Sequence, residues 1–184
     1  MPLADNSVDL VLTSPPYLTR IDYAVAYMRE LAVLGVNVRT DRRIRTELMG
    51  TTVIREQEAG AVCPLGEIAQ KLVEKVSQHD SYASGVYYLK QARQYLTDLT
   101  ESLGEITRVT KPGGIMHLVV QDSYYKDVPV PLADICIEES CMRGWTEIKR
   151  NPYPVKRTLV ALNTAAQNYA KGAIDETVIT MQKD

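Results

Sequence analysis

The 184-residue sequence contains no phenylalanine and a single tryptophan, against eleven tyrosines. Aromatic surface is therefore carried almost wholly by a ring with a polar tip. Cysteine is scarce too. The three cysteines, Cys63, Cys136 and Cys141, are odd in number and form no C-x-x-C pair. That excludes a disulfide framework and a clustered zinc site, so no metal is expected. No apolar run is long enough to cross a bilayer. The start, Met1-Pro2-Leu3-Ala4-Asp5-Asn6, lacks the basic and apolar regions of a secretory leader, so a cytoplasmic address is expected. A dominant charge is also missing: the formal net charge is −2, unlike a protein that coats nucleic acid at large. A nucleic-acid enzyme stays open, because the distribution of charge matters more than its sum.

What is present reads as alternating strands and helices. Val8 to Leu12 is a short apolar run suited to a buried parallel strand, and Thr13-Ser14-Pro15-Pro16 must end it. Ala24, Tyr27, Met28, Leu31 and Leu34 share a helical face that Gly35 can close. Residues 35–65 read as an irregular insertion, longer than a connection needs. A second helix is marked by Leu65, Ile68, Ala69, Leu72, Val73 and Val76. The clearest helix carries Leu89, Ala92, Leu96, Leu99, Leu103, Ile106 and Thr110 at alternating spacings of three and four. Lys111-Pro112-Gly113-Gly114 then turns the chain into a strand, Ile115 to Val120. Pro131 opens a helix with Leu132, Ile135, Cys136 and Met142 inward and Gly144 as its stop. Trp145 to Lys149 reads as a strand broken by Asn151-Pro152-Tyr153-Pro154, and Glu176 to Met181 as the last strand. The fold class is α/β with a mainly parallel sheet.

Ligands of open α/β sheets bind outside the carboxyl ends of strands, where Thr13 to Tyr17 leaves the sheet. The prolines fix φ and remove two donors, so a serine oxygen and rigid carbonyls form a rim of acceptors. An exocyclic amino group, with two N–H donors, matches that rim. Tyr17 offers a face for stacking a splayed base, worth roughly 1–3 kcal/mol. Asp9-Leu10-Val11-Leu12-Thr13-Ser14-Pro15-Pro16-Tyr17 resembles the catalytic motif of DNA methyltransferases that modify the exocyclic amine of cytosine (N4) or adenine (N6). The family pattern is Asp, Asn or Ser, then Pro-Pro, then Tyr, Phe or Trp, and the Ser-with-Tyr form favours N4 of cytosine. Leu18-Thr19-Arg20-Ile21-Asp22-Tyr23 extends the match, and Lys111-Pro112-Gly113-Gly114 resembles a turn common to S-adenosylmethionine-dependent methyltransferases.

The resemblance implies a Rossmann-like methyltransferase sheet, a flipped-out base and direct methyl transfer from S-adenosylmethionine to the amine, with DNA as partner. It implies catalytic roles for Ser14, Pro15, Pro16 and Tyr17. The amine donates to the Ser14 side chain and the Pro15 carbonyl, and Tyr17 stacks on the base. Thr13 and Ser14 are expected next to the cofactor, and Tyr17, Asp22, Tyr23, Arg42 and Arg43 against the substrate. For Asp22 and Tyr23, a helix cap and a core aromatic are equal readings. Arg39, Arg42, Arg43, Arg45 and Arg55 suit phosphate contacts, or a solvated loop paired with Asp41 and Glu47. For Lys149, Arg150, Lys156 and Arg157 the solvated face is preferred. Asp122-Ser123 reads as a strand-ending turn, and His79 and His117 lack catalytic spacing.

The family's Gly-rich cofactor loop is not recognisable here. Residues 1–184 therefore read as a partial methyltransferase domain, the catalytic-side half. An N-terminal half, from the same polypeptide or a partner chain, is expected to hold the methyl donor. The first strand would then expose an apolar edge that invites association. A non-catalytic nucleic-acid-binding module and an RNA amino-methyltransferase are the alternatives.

Overall fold

The computed structural model describes residues 1–18, 22–55, 64–80, 87–155 and 172–184. Four strands form one sheet in the order β1 (Val8–Thr13), β2 (Thr110–Gln121), β6 (Asp175–Lys183), β5 (Trp145–Pro154). β1 and β2 run parallel, whereas β6 is antiparallel to both β2 and β5. The α/β class holds, but the sheet is mixed, with one parallel pair instead of a mainly parallel set. A two-stranded hairpin, β3 (Ser123–Tyr125) and β4 (Val128–Val130), follows β2.

The periodic helices form where their stripes place them. They are α4 (Glu67–Ser77), α5 (Leu89–Val109) and α6 (Leu132–Cys141). Leu96, Leu99 and Leu103 of α5, Leu72 and Val76 of α4 and Ile135 and Cys136 of α6 meet Met116, Leu118, Val120, Ile179 and Met181 of the sheet in one core. Each such side chain contributes about 1.5–3 kcal/mol by leaving water. The alternate residues of β2, Ile115, His117 and Val119, are only half-buried, and on β1 Leu10 is 58% and Leu12 74% exposed. β1 is thus the outer strand of the described sheet, with side chains partly in water, rather than a buried central strand.

Several local expectations change. The helix after the motif is broken at Tyr27 into α1 (Tyr23–Ala26) and α2 (Met28–Val33), and Leu34 is largely exposed instead of inward. Gly35 closes α2 at φ +78°, a conformation that favours glycine. The insertion is not wholly irregular, since it contains α3 (Arg42–Glu47), N-capped by Asp41. Met142 lies beyond the end of α6 and is exposed. β5 continues through Pro152 and Pro154, which pair with Thr177 and Asp175. It can do so because β5 is an edge strand, where a missing N–H costs no ladder bond on the open side. Lys111 to Gly114 lie within β2 as a bulge: the register passes from Val8↔Thr110 to Leu10↔Ile115. A Cβ on Gly114 would lie 2.8 Å from the Lys111 carbonyl oxygen, so this crossing needs glycine. Among the described residues no helix is long and apolar enough to cross a membrane.

Candidate amine-binding site

β1 ends at Thr13, paired with Leu118, and the two prolines then carry the chain off the sheet. The buried side chain of Tyr95, on α5, donates its hydroxyl to the Pro16 carbonyl at 2.7 Å. Burial among apolar neighbours holds the Tyr95 phenol well above its ordinary pKa, so it stays a donor across the physiological range. No hydrogen bond to the Pro15 carbonyl occurs among the described residues. Tyr95 therefore fixes the chain at Pro16 and leaves the preceding acceptor available. Ser14 is exposed and Tyr17 half-buried. The Tyr17 hydroxyl donates to Oε1 of Glu176, on β6, at 3.4 Å. Burial raises the Tyr17 pKa, a hydrogen bond from Ser14 works against that rise, and the Glu176 carboxylate adds to it.

The insertion is fastened beside this turn. Gly50, at φ +75°, sits so close to Pro16 that an added Cβ would lie 3.3 Å from the proline Cβ. The Tyr87 hydroxyl donates to the Thr52 carbonyl at 2.7 Å. Gln94 of α5 donates to the Val53 carbonyl at 3.0 Å and accepts the Arg55 N–H at 2.8 Å. Arg55 in turn pairs with Asp98, whose pKa burial raises against the opposing effect of that arginine.

The residues expected at the site separate into two groups. Thr13, Ser14, Pro15, Pro16 and Tyr17 stay together at the strand end. Asp22 caps α1 by accepting the Val25 N–H at 3.2 Å. Its carboxylate also takes two bonds from Arg45, at 2.6 and 3.1 Å. Asp22 is thus engaged by the fold, and Arg45 with it. Tyr23 stacks with Tyr27 at 6.4 Å between centroids. Arg42 begins α3. Arg43 is exposed and pairs with Glu47 at 3.3 Å, whereas the Arg39 side chain makes no ion pair among the described residues.

Of the weaker candidates, Asp122 accepts the Ala133 N–H at 3.1 Å. Burial raises its pKa. His79 pairs with Asp127 at 2.8 Å, and His117 contacts Thr180 at 3.0 Å. Arg150 is held by Asp134 and Glu147. Lys156, Arg157, Thr19, Arg20, Ile21 and Cys63 lie outside the described residues. Sequence reasoning missed Tyr95, Glu176 and Gly50. The excess of tyrosine was the one signal that pointed towards Tyr95.

Thr13 and Ser14 open onto a cavity of about 210 Å³, whose other walls include Leu99, Leu103, Ile106, Leu118 and Cys136. Burial pushes the Cys136 thiol up to about 12, so it is an inert part of that wall. Among the described residues no carboxylate lines the cavity. These residues alone therefore do not fit a charged nucleoside such as S-adenosylmethionine, which needs polar partners for its ribose and charged groups.

The chain is similar to Type II DNA methyltransferases. It is 39% identical over 134 residues to the Type II methyltransferase M.AvaI of Nostoc sp., a match covering 66% of this chain and 27% of that protein. It is 27% identical over 151 residues to M.BsoBI of Geobacillus stearothermophilus, covering 70% of this chain and 29% of that one. The chain thus spans less than a third of the length of these relatives. No family model matches it. Among solved structures, a Thermus thermophilus protein described as a DNA modification methylase superposes with a TM-score of 0.45 at 17% identity, covering 100% of this chain and 48% of that one. A score of that size carries no functional weight.

Proposed function

We propose that this chain supplies the amine-holding part of an amino-directed DNA methyltransferase. The supporting observation is the Ser14-Pro15-Pro16-Tyr17 turn, held by Tyr95 at the Pro16 carbonyl, with no hydrogen bond to the Pro15 carbonyl among the described residues. In this reading a flipped base enters at the end of β1. Its amino group donates to Ser14 Oγ and to the Pro15 carbonyl, and Tyr17 presents its ring to the base. The two bonds draw the nitrogen from planar towards pyramidal and orient its lone pair. N4 of cytosine is the preferred target. The methyl donor in this reading is S-adenosylmethionine, held chiefly by residues other than those described, from the same polypeptide or a partner chain. In this reading the exposed Arg39 and Arg43 meet phosphates, which makes binding salt-dependent.

The test is methyl transfer from radiolabelled S-adenosylmethionine to DNA and to RNA by the full polypeptide that carries this chain. The modified nucleoside is then identified by mass spectrometry. We expect N4-methylcytosine in DNA and a loss of at least about 100-fold in rate for Ser14→Ala with DNA binding retained. Label in RNA alone would replace DNA as the substrate. Salt-dependent DNA binding that survives Ser14→Ala and Tyr17→Ala, with no label transferred, would make the chain a binding module instead.

A further inference from the structure

The amine-holding turn is braced from two sides. On one side, α5 fixes Pro16 through Tyr95. On the other, the insertion returns to the turn at residues 49–52. Met49 lines the same cavity as Thr13, Ser14, Pro15 and Pro16. The Gly50 backbone lies so close that an added Cβ would meet the Pro16 Cβ at 3.3 Å and the Tyr17 carbonyl oxygen at 3.7 Å.

Asp22 ties this returning segment to two helices. Its Oδ1 accepts the Val25 N–H at 3.2 Å and caps α1. Its Oδ2 accepts Nη2 and Nε of Arg45, on α3, at 2.6 and 3.1 Å. The same oxygen takes the Thr52 hydroxyl at 3.4 Å. The Asp22 side chain is only 14% exposed and that of Arg45 38%. Thr52 is held in turn at its carbonyl by the Tyr87 hydroxyl. One shielded carboxylate thus joins the residues just after the motif, the arginine-bearing helix and the segment packed on Pro16.

The helix cap does not account for this arrangement. A cap needs one acceptor oxygen, which asparagine or serine supplies as well. The second oxygen and the charge serve Arg45 and Thr52. Two charge-assisted bonds from a planar guanidinium fix direction as well as distance, so α3 and the returning segment are set relative to the turn. The prolines fix φ within the turn but not the attitude of the turn as a whole. That attitude matters, because a displacement of about 1 Å in a reacting geometry costs about 100-fold in rate. We propose that Asp22 is a positioning residue for methyl transfer: through Arg45 and Thr52 it holds residues 49–52 against Pro16 and so aims the Pro15 carbonyl at the amine. This rests on the amine-directed reading above. Asp22 itself touches neither the base nor the methyl donor.

The experiment uses the full polypeptide that carries this chain. Asp22→Asn keeps an oxygen for the Val25 N–H and removes the charge that holds Arg45; Arg45→Met removes the partner. Each should lower kcat about 10- to 100-fold, with KM for DNA changed less than twofold. The double variant should be no worse than either single one, because both remove the same strut. Arg45→Lys keeps the charge but not the fork, so its kcat should fall between those of wild type and Arg45→Met. That ranking decides the matter even if Asp22→Asn fails to fold. The second readout needs no activity. With 3-fluorotyrosine incorporated and the Tyr17 fluorine signal assigned from Tyr17→Phe, the signal should shift in Arg45→Met. It should shift also in Gly50→Ala, which crowds Pro16 directly. A Tyr17 signal unmoved in either variant overturns the proposal. So does an unchanged kcat, an additive loss in the double variant, or a raised KM with kcat intact, which would place Asp22 on the substrate. If the wild-type polypeptide methylates neither DNA nor RNA, the amine-directed reading itself has failed and the role of Asp22 in the reaction falls with it. The Tyr17 signal then still reports whether Arg45 and Gly50 brace the turn.

Discussion

Tyr95 lies in the core with its hydroxyl on the Pro16 carbonyl, so it couples the packing of α5 to the shape of the motif. Tyr95→Phe keeps the ring and strands the carbonyl, at a cost of about 1–2 kcal/mol. Urea denaturation should show that loss, and methyl transfer should drop more than DNA binding does, because the turn that aims the Pro15 acceptor is loosened. Asp122 gives a pH signature. Burial raises its pKa in the folded state, so its contribution to stability is full below the ordinary aspartate range and is lost as pH rises through the raised value. Asp122→Asn can still accept the Ala133 N–H. The stability difference between wild type and Asp122→Asn, followed by urea denaturation, should therefore grow in favour of the variant from about pH 4 to pH 7. A gap that stays flat with pH would contradict this.

At the scale of elements, α4 depends on α6 for its start. Glu139 accepts the Gly66 N–H at 2.7 Å and Glu138 accepts the Ile68 N–H at 2.8 Å. Two carboxylates from α6 thus satisfy N–H groups at the positive end of α4. Glu139 is almost fully buried and also pairs with Arg143 at 2.8 Å. Glu139→Ala should cost about 3–5 kcal/mol, because it leaves a poorly solvated arginine without this partner; the urea midpoint measures it. These helices were readable because their stripes repeat over three to six turns. The interruption at Tyr27 was not, since Ala24, Tyr27, Met28 and Leu31 keep helical spacing across the break. The continuation of β5 through Pro152 and Pro154 was unreadable for a different reason. Whether a proline is tolerated depends on strand order, which local sequence does not encode. The same holds for Tyr95 and Glu176, which lie 79 and 159 residues from their partners in the motif.

At the scale of the whole molecule, the α/β class and the departure of the chain from the sheet after Thr13 were legible, whereas the direction of β6 was not. Apolar runs of similar length serve parallel and antiparallel strands alike. Among the described residues, the exposed outer residues of β1 and the half-buried outer residues of β2 leave one face of the sheet thinly covered. The isolated chain should therefore self-associate as its concentration rises. Leu12→Lys should lower the weight-average mass in sedimentation equilibrium. It should change stability by no more than about 0.5 kcal/mol, since Leu12 is mostly in water.

The eleven tyrosines include Tyr82 and Tyr169, which lie outside the described residues. The remaining ones gather at the carboxyl end of the sheet: around the motif, at the start of α5, on β3 and at the end of β5. Trp145 sits at the opposite end, paired with Lys183 and donating its indole N–H to Thr107 at 2.8 Å. Among the described residues the chromophores are therefore divided between the two ends: these tyrosines report on the end that carries the motif, and tryptophan emission reports on the far end. A ligand that perturbs the assigned signals of these tyrosines and leaves the tryptophan unchanged has bound at the end where the motif lies, whatever chemistry follows.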